Sequence, residues 1–251
     1  MSKTSRFKTF RTMIGRFKKE EEYGKNLTPI DSDYYASSAF GAFRAAFKDK
    51  WSYMWYTVSH PMDGYYWIRH RSRGSVPLAI FMVVLFSFSF TANRLLASFV
   101  VNELDPRSVD SYYELLAVLF FFVLLCTSNW SVTCLMSGEG RFKDIIIAIG
   151  YATLPITIVL NVATVVSQVV ADNEVALYFM LLVLGISYGA IMMLIGIMQV
   201  HNYTLGKTLI TLFLTVLALL IIIFLIVLLF NMLSMVYHFF RSIYTELLFR
   251  T

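Results

Sequence analysis

The sequence predicts an all-α, polytopic membrane protein: five transmembrane helices preceded by amphipathic interfacial helices. Three observations carry this. Residues 75–240 hold five long apolar runs separated by short polar breaks, and a hydrocarbon core of roughly 30 Å takes about 20 apolar residues of helix. The runs are apolar all round, with no polar side chain in residues 221–230, whereas a transmembrane strand alternates apolar and polar residues over about ten positions. Finally, 58% of the chain is hydrophobic and its mean hydropathy is +0.66, well outside the composition of ordinary globular domains.

The first element, residues 1–30, is a basic amphipathic segment followed by a linker. A secretory signal needs an apolar stretch of about 7 to 15 residues behind its basic start, and MSKTSRFKTFRTMIGRFKKE has none. Its freedom from acids before Glu20 overlaps the composition of a mitochondrial presequence. On a helix Phe7, Phe10, Ile14 and Phe17 share one side, with Lys3, Arg6, Lys8, Arg11 and Lys18 mostly elsewhere. Two readings stay open: a basic helix on an anionic lipid surface, or a disordered basic tail. EEEYGKNLTPIDS reads as a flexible linker.

Residues 31–74 read as a cytoplasmic interfacial helix and an elbow. Asp31, Ser32 or Asp33 can cap the helix, and Phe40, Phe43, Phe47, Trp51, Met54 and Val58 make a narrow apolar stripe with Arg44 at its edge. Pro61 ends it. HPMDGYYWIRHRSRGS then places Tyr65, Tyr66 and Trp67 at an aromatic belt and Arg69, Arg71 and Arg73 just inside the interface, as an elbow into the first span. His60, Asp63 and His70 read as interfacial polar groups, and no metal is expected there.

The spans of the 75–240 bundle are expected at 75–101, 114–136, 144–170, 175–200 and 207–239. Residues 1–74 hold 14 of the 21 Lys and Arg against seven of the 16 acids. SGEGRFK and VHNYTLGK are also basic, while VNELDPRSVDSYY and ADNE are acidic. The positive-inside rule therefore puts the N-terminus in the cytoplasm and leaves 241–251 as a short tail outside. In the second span Cys126 and Cys134 stand about 12 Å apart along the helix, too far for a disulfide, and are expected to be buried and inert.

Polar groups within spans are costly and often functional. Arg94 must reach the far interface or a partner in the bundle. Asn129, Asn161, Gln168 and Asn231 are expected to join helices more than to bind a ligand. Pro155 leaves the Tyr151 carbonyl without its helical donor, which predicts a kink or a broken helix that either builds a site or shapes packing. Gly185 and Gly189, with Gly196 a heptad beyond Gly189, permit close helix contact within the bundle or between copies. The sequence contains no phosphate-binding glycine loop ending in GK and no HExxH, and neither catalysis nor a cofactor nor nucleic-acid binding is expected.

Gly138, Gly140 and Phe142, followed closely by Gly150, Tyr151 and Pro155, resemble the motif of the Ypt-interacting protein (YIP) domain, over about residues 55–240. The resemblance implies a cytoplasmic N-terminal region and five spans. Eukaryotic members are partners of Rab-type GTPases in ER and Golgi traffic. The DLYGP segment of such members is absent here, and HPMDGYYW stands in its place. A small GTPase is therefore not an expected partner, and the chain is more similar to the bacterial branch, which sometimes accompanies solute transporters. The expectation is a non-catalytic scaffold or accessory subunit in a bacterial cytoplasmic membrane. Its expected partners are anionic lipid headgroups, other membrane proteins such as a solute transporter, or further copies of itself. The alternative is a transporter or permease component for a small solute.

Overall fold

The computed structural model describes residues 39–102, 105 and 108–249, and every regular element among them is a helix. The chain divides into two units, Met1–Trp51 and Ser52–Thr251. Helix α1, Ala39–Ser59, crosses that division. The basic element of residues 1–30, the capping residues Asp31, Ser32 and Asp33, and the side chains of Phe40, Phe43 and Arg44 lie outside the described residues. In the first unit Phe47 is exposed and stacks on Trp51 at 6.0 Å. In the second, Tyr53, Met54 and Thr57 are buried, so among the described residues of the predicted stripe Met54 is the buried one.

Pro61 ends α1 and also starts α2, Pro61–Arg71, where an elbow was expected. A proline at the first helical position loses no hydrogen bond, since that N–H has no partner inside the helix. Gly64 lets the two helices fold tightly together: a Cβ there would lie 2.7 Å from the Thr57 Cα. Ser72 closes α2 in the left-handed conformation at φ 51°.

The five membrane-crossing helices are α3 (Val76–Leu96), α4 (Ser111–Leu135), α5 (Phe142–Ser167), α6 (Val175–His201) and α7 (Leu205–Phe249), with a 3-10 turn at Asp172–Glu174. The protein is a multi-pass membrane protein. Helix α3 stops at Leu96, short of the expected 101, because its last carbonyls are taken by side chains. Asn102 Nδ2 donates to the Arg94 carbonyl at 2.7 Å, and Gln168 Nε2 donates to the Leu96 carbonyl. Asp110 starts α4 by accepting from the Tyr112 and Tyr113 amides, three residues ahead of the expected boundary. Helix α5 continues across Pro155 over 26 residues, so the broken helix considered from the sequence does not form. At the far end α7 runs on to Phe249, and residues 241–249 continue it instead of forming a separate tail. No breaker interrupts RSIYTELLF.

Helix α5 is the core of the second unit and packs most extensively on α6 and α3, while α4 pairs with α7 and α2 lies against α6. Small residues set these distances. A Cβ on Gly150 would lie 2.7 Å from the Ala79 Cβ and 2.9 Å from its carbonyl oxygen, so α3 and α5 touch nearly backbone to backbone. Gly185 receives Val159 of α5, Gly189 receives Ile156 and the Ala152 carbonyl, and Gly196 receives Ala148 and the Tyr65 ring. All three glycines of α6 thus face inward. Past Leu219 no described side chain of α7 is buried.

Candidate functional site

The motif-bearing residues gather at the end of the bundle where α2 lies. The α4–α5 loop turns at Ser137, whose φ is 55°, and brings Gly138 and Gly140 onto the His201 imidazole at the end of α6. The Gly140 amide donates to His201 Nδ1 at 3.2 Å, which requires an unprotonated Nδ1 and leaves the ring hydrogen on Nε2. That Nε2 is buried and, among the described residues, has no hydrogen-bond partner. Side chains at the two glycines would collide with the ring, at 2.6 Å from Nδ1 for Gly138 and 2.5 Å from Cε1 for Gly140. Tyr203 stacks on His201 at 5.3 Å and donates to the Met136 carbonyl. Lys207 sits 4.2 Å over the Tyr203 ring. Phe142 packs edge-on against Trp130 at the rim.

The second part of the motif lies more than two turns further along α5. The Tyr151 hydroxyl accepts the Ser75 amide at 3.2 Å, providing one of the unpaired donors at the start of α3 with a partner. Tyr65 of α2 donates to the Ala148 carbonyl at 3.2 Å and is completely buried. Burial pushes its phenol above the usual range, so it stays protonated and able to donate. Burial raises Tyr53 as well, against the opposing pull of the Arg73 guanidinium 5.5 Å from its ring. Arg141 closes the corner: it pairs with buried Asp144 at 2.8 Å and reaches the Arg69 carbonyl and the Ser72 hydroxyl. Pro155 is buried deeper in α5, beside the turn that receives Gly189.

A second polar layer lies at the opposite ends of the same helices. Arg94 forms an ion pair with Glu114 of α4, and Thr91 donates to the same carboxylate at 2.6 Å. Of the two destinations open to Arg94, the structure places it against a partner in the bundle. Asn93 donates to Thr164 at 2.7 Å and accepts from Tyr178 at 3.0 Å, linking α3, α5 and α6. Between the layers Asn161 donates to Ser89 at 2.7 Å. Asn129 donates to Thr215 of α7 at 3.1 Å, while its Oδ1 and the neighbouring Ser128 Oγ have no hydrogen-bond partner among the described residues. Asn231 stays exposed and donates to the Val227 carbonyl of its own helix.

His60 stacks on Tyr56 and His70 on Tyr66, each against its own helical neighbours. Among the described residues no group of three or more His, Cys, Asp or Glu is arranged to hold a metal. Cys126 is buried as expected for an inert thiol, but Cys134 is exposed, in the last turn of α4.

The family profile of the Yip1 domain matches residues 55–242. The chain belongs to the Yip1 family. No curated protein and no solved structure shows significant similarity to it. The Yip1 match begins inside α1 and ends inside α7, so it spans both polar layers and all five membrane helices. Three residues central to this Yip1 bundle are missing from the sequence reading as site residues: His201, Glu114 and Tyr65. Glu114 was legible as an acid at the start of a span, on the same side as Arg94. The other two carry no local signal, because each meets its partner across more than sixty residues of chain, His201 to Gly140 across 61 and Tyr65 to Ala148 across 83.

Proposed function

We propose that this Yip1-family protein is a non-catalytic scaffold or accessory subunit that acts by binding other membrane proteins. The supporting observation is how its intramembrane polar groups are used. Arg94, Asn93, Asn129 and Asn161 each bond to a neighbouring helix, so they fix the relative positions of spans. A fixed bundle with apolar flanks suits lateral contact with a second membrane protein, such as a solute transporter, or with further copies of the chain. Arg69, Arg71, Arg73, Arg141, Lys143 and Lys207 all lie at the α2 end, which supports placing that end in the cytoplasm, in a bacterial cytoplasmic membrane, with the C-terminus outside. The basic residues ahead of α1 would then meet anionic headgroups.

The test is purification from native membranes in mild detergent, with the amount of each bound protein quantified relative to this chain. A membrane-protein partner recovered in constant ratio supports the proposal. Recovery of the chain alone, together with solute flux in vesicles containing only this protein, would overturn it. One observation favours the permease alternative: Ser128 Oγ and Asn129 Oδ1 are buried and, among the described residues, have no hydrogen-bond partner. Buried polar atoms of that kind could meet a passing solute. Asn129→Leu should abolish flux if the permease reading holds, and flux equal to that of the parent would count against it.

A further inference from the structure

We propose that only the first half of α7 crosses the bilayer and that residues 231–249 lie along the opposite membrane face as an amphipathic helix. Length is the first ground. A helix of 45 residues measures about 67 Å at 1.5 Å per residue, against a hydrocarbon core of roughly 30 Å. Lys207 and the buried threonines Thr208, Thr211 and Thr215 anchor its start against α4 and α6. Residues 209–230 then span about 33 Å, enough to cross. Tilting cannot absorb the rest: fitting residues 209–240, about 48 Å, into that core needs a tilt of ~51°, beyond the roughly 0–40° range of membrane helices.

The pattern of the second half is the independent ground. At 100° per residue, Asn231, Ser234, His238, Arg241, Ser242, Thr245 and Glu246 fall within an arc of about 140°. Met232, Leu233, Val236, Tyr237, Phe239, Phe240, Ile243 and Tyr244 occupy the other side, with Met235 and Phe249 the exceptions. None of these side chains is buried against the bundle. A polar stripe opposite a broad, aromatic-rich apolar face matches a helix lying at the headgroup boundary, its tyrosines at the level where amphipathic rings collect. It suits neither water nor hydrocarbon on all sides. Asn231 is the first polar residue after the apolar run of residues 216–230, which places the change of course there. The partner of this face is the lipid interface itself.

Single cysteines in the full-length chain, with Cys126 and Cys134 replaced by serine, test the proposal in lipid vesicles. Four are placed on the stripe, at Ser234, His238, Ser242 and Thr245, and four on the apolar face, at Leu233, Val236, Phe240 and Ile243. All eight lie outside the bundle packing. Reaction with a membrane-impermeant maleimide should be retained on the stripe and lost on the face, repeating about every 3.6 residues. Nitroxides at the face positions should show high oxygen accessibility at constant depth. Labelling at all eight would mean a helix projecting into water, and protection of all eight a helix continuing in hydrocarbon. Either result overturns the proposal. So would low oxygen accessibility with disulfide cross-links between copies at the face positions, which would make the face a dimer seam.

Discussion

Gly150→Ala measures how tightly the motif draws α3 and α5 together. The added methyl would stand 2.7 Å from the Ala79 Cβ, 2.9 Å from its carbonyl oxygen and 3.0 Å from its Cα. Ordinary contact begins at 3.4 Å, so the two helices must separate by about 0.7 Å. Two of the three obstructing atoms are backbone, which no rotamer change relieves, and overpacking of a core costs about 1–3 kcal/mol. Replacing a mid-helix glycine by alanine returns about 1 kcal/mol. With the overpacking cost at its upper end, the clash wins by about 2 kcal/mol, close to a 30-fold shift in the unfolding equilibrium. Unfolding in detergent can be followed through a thiol-reactive dye on buried Cys126, in a Cys134→Ser background that removes the exposed thiol. The midpoint should fall by about 4–8 °C, and adding Ala79→Gly should recover part of the loss. Gly206 has nothing within 4 Å, so Gly206→Ala should hold or raise the midpoint. If Gly150→Ala is as stable as the parent, the close-contact reasoning is wrong.

Gly140→Ala should destabilise by about 1–3 kcal/mol, and His201→Ala, which clears the ring but leaves Val200 Cγ1 at 2.7 Å, should reduce that cost in part; simple additivity would break the link between the loop glycine and His201. For the second polar layer, a double-mutant cycle of Arg94→Ala and Glu114→Gln should give a coupling above about 0.5 kcal/mol, since Glu114 is only 12% exposed; a smaller value would reduce the pair to a surface contact. Tyr65→Phe and Tyr151→Phe each remove one cross-element hydrogen bond and should each cost about 1 kcal/mol in the same dye assay, and a change of neither midpoint would show those bonds to be dispensable.

The five crossings were legible because a residue facing lipid and a residue facing the bundle are both apolar, so each span reads as one unbroken run whatever its neighbours. The ends were harder. Helix α3 stops where Asn102 and Gln168 capture its carbonyls, and Gln168 arrives from α5, a contact that no local pattern encodes. Helix α2 was obscured by Gly64 and by an aromatic run that suits an interface in any conformation. Arg94 announced itself as a charge in need of a partner, yet Glu114 is 20 residues away, across the whole α3–α4 connection. The glycines of the motif were visible as residues, but their purpose was not, since it depends on an imidazole at the end of α6.

The docking of α2 also bears on the order in which the protein is made. Tyr65 leaves the ribosome before any of the five membrane helices, but it needs the Ala148 carbonyl and the space at Gly196. Gly196 follows 131 residues later, which at about 5–20 residues per second takes roughly 7–26 s of synthesis. For that interval the core face of α2 lacks its partner on α6. It therefore closes the nascent bundle late, and a lesion such as Tyr65→Phe should act on chains near the end of translation, after insertion of the early spans is already complete.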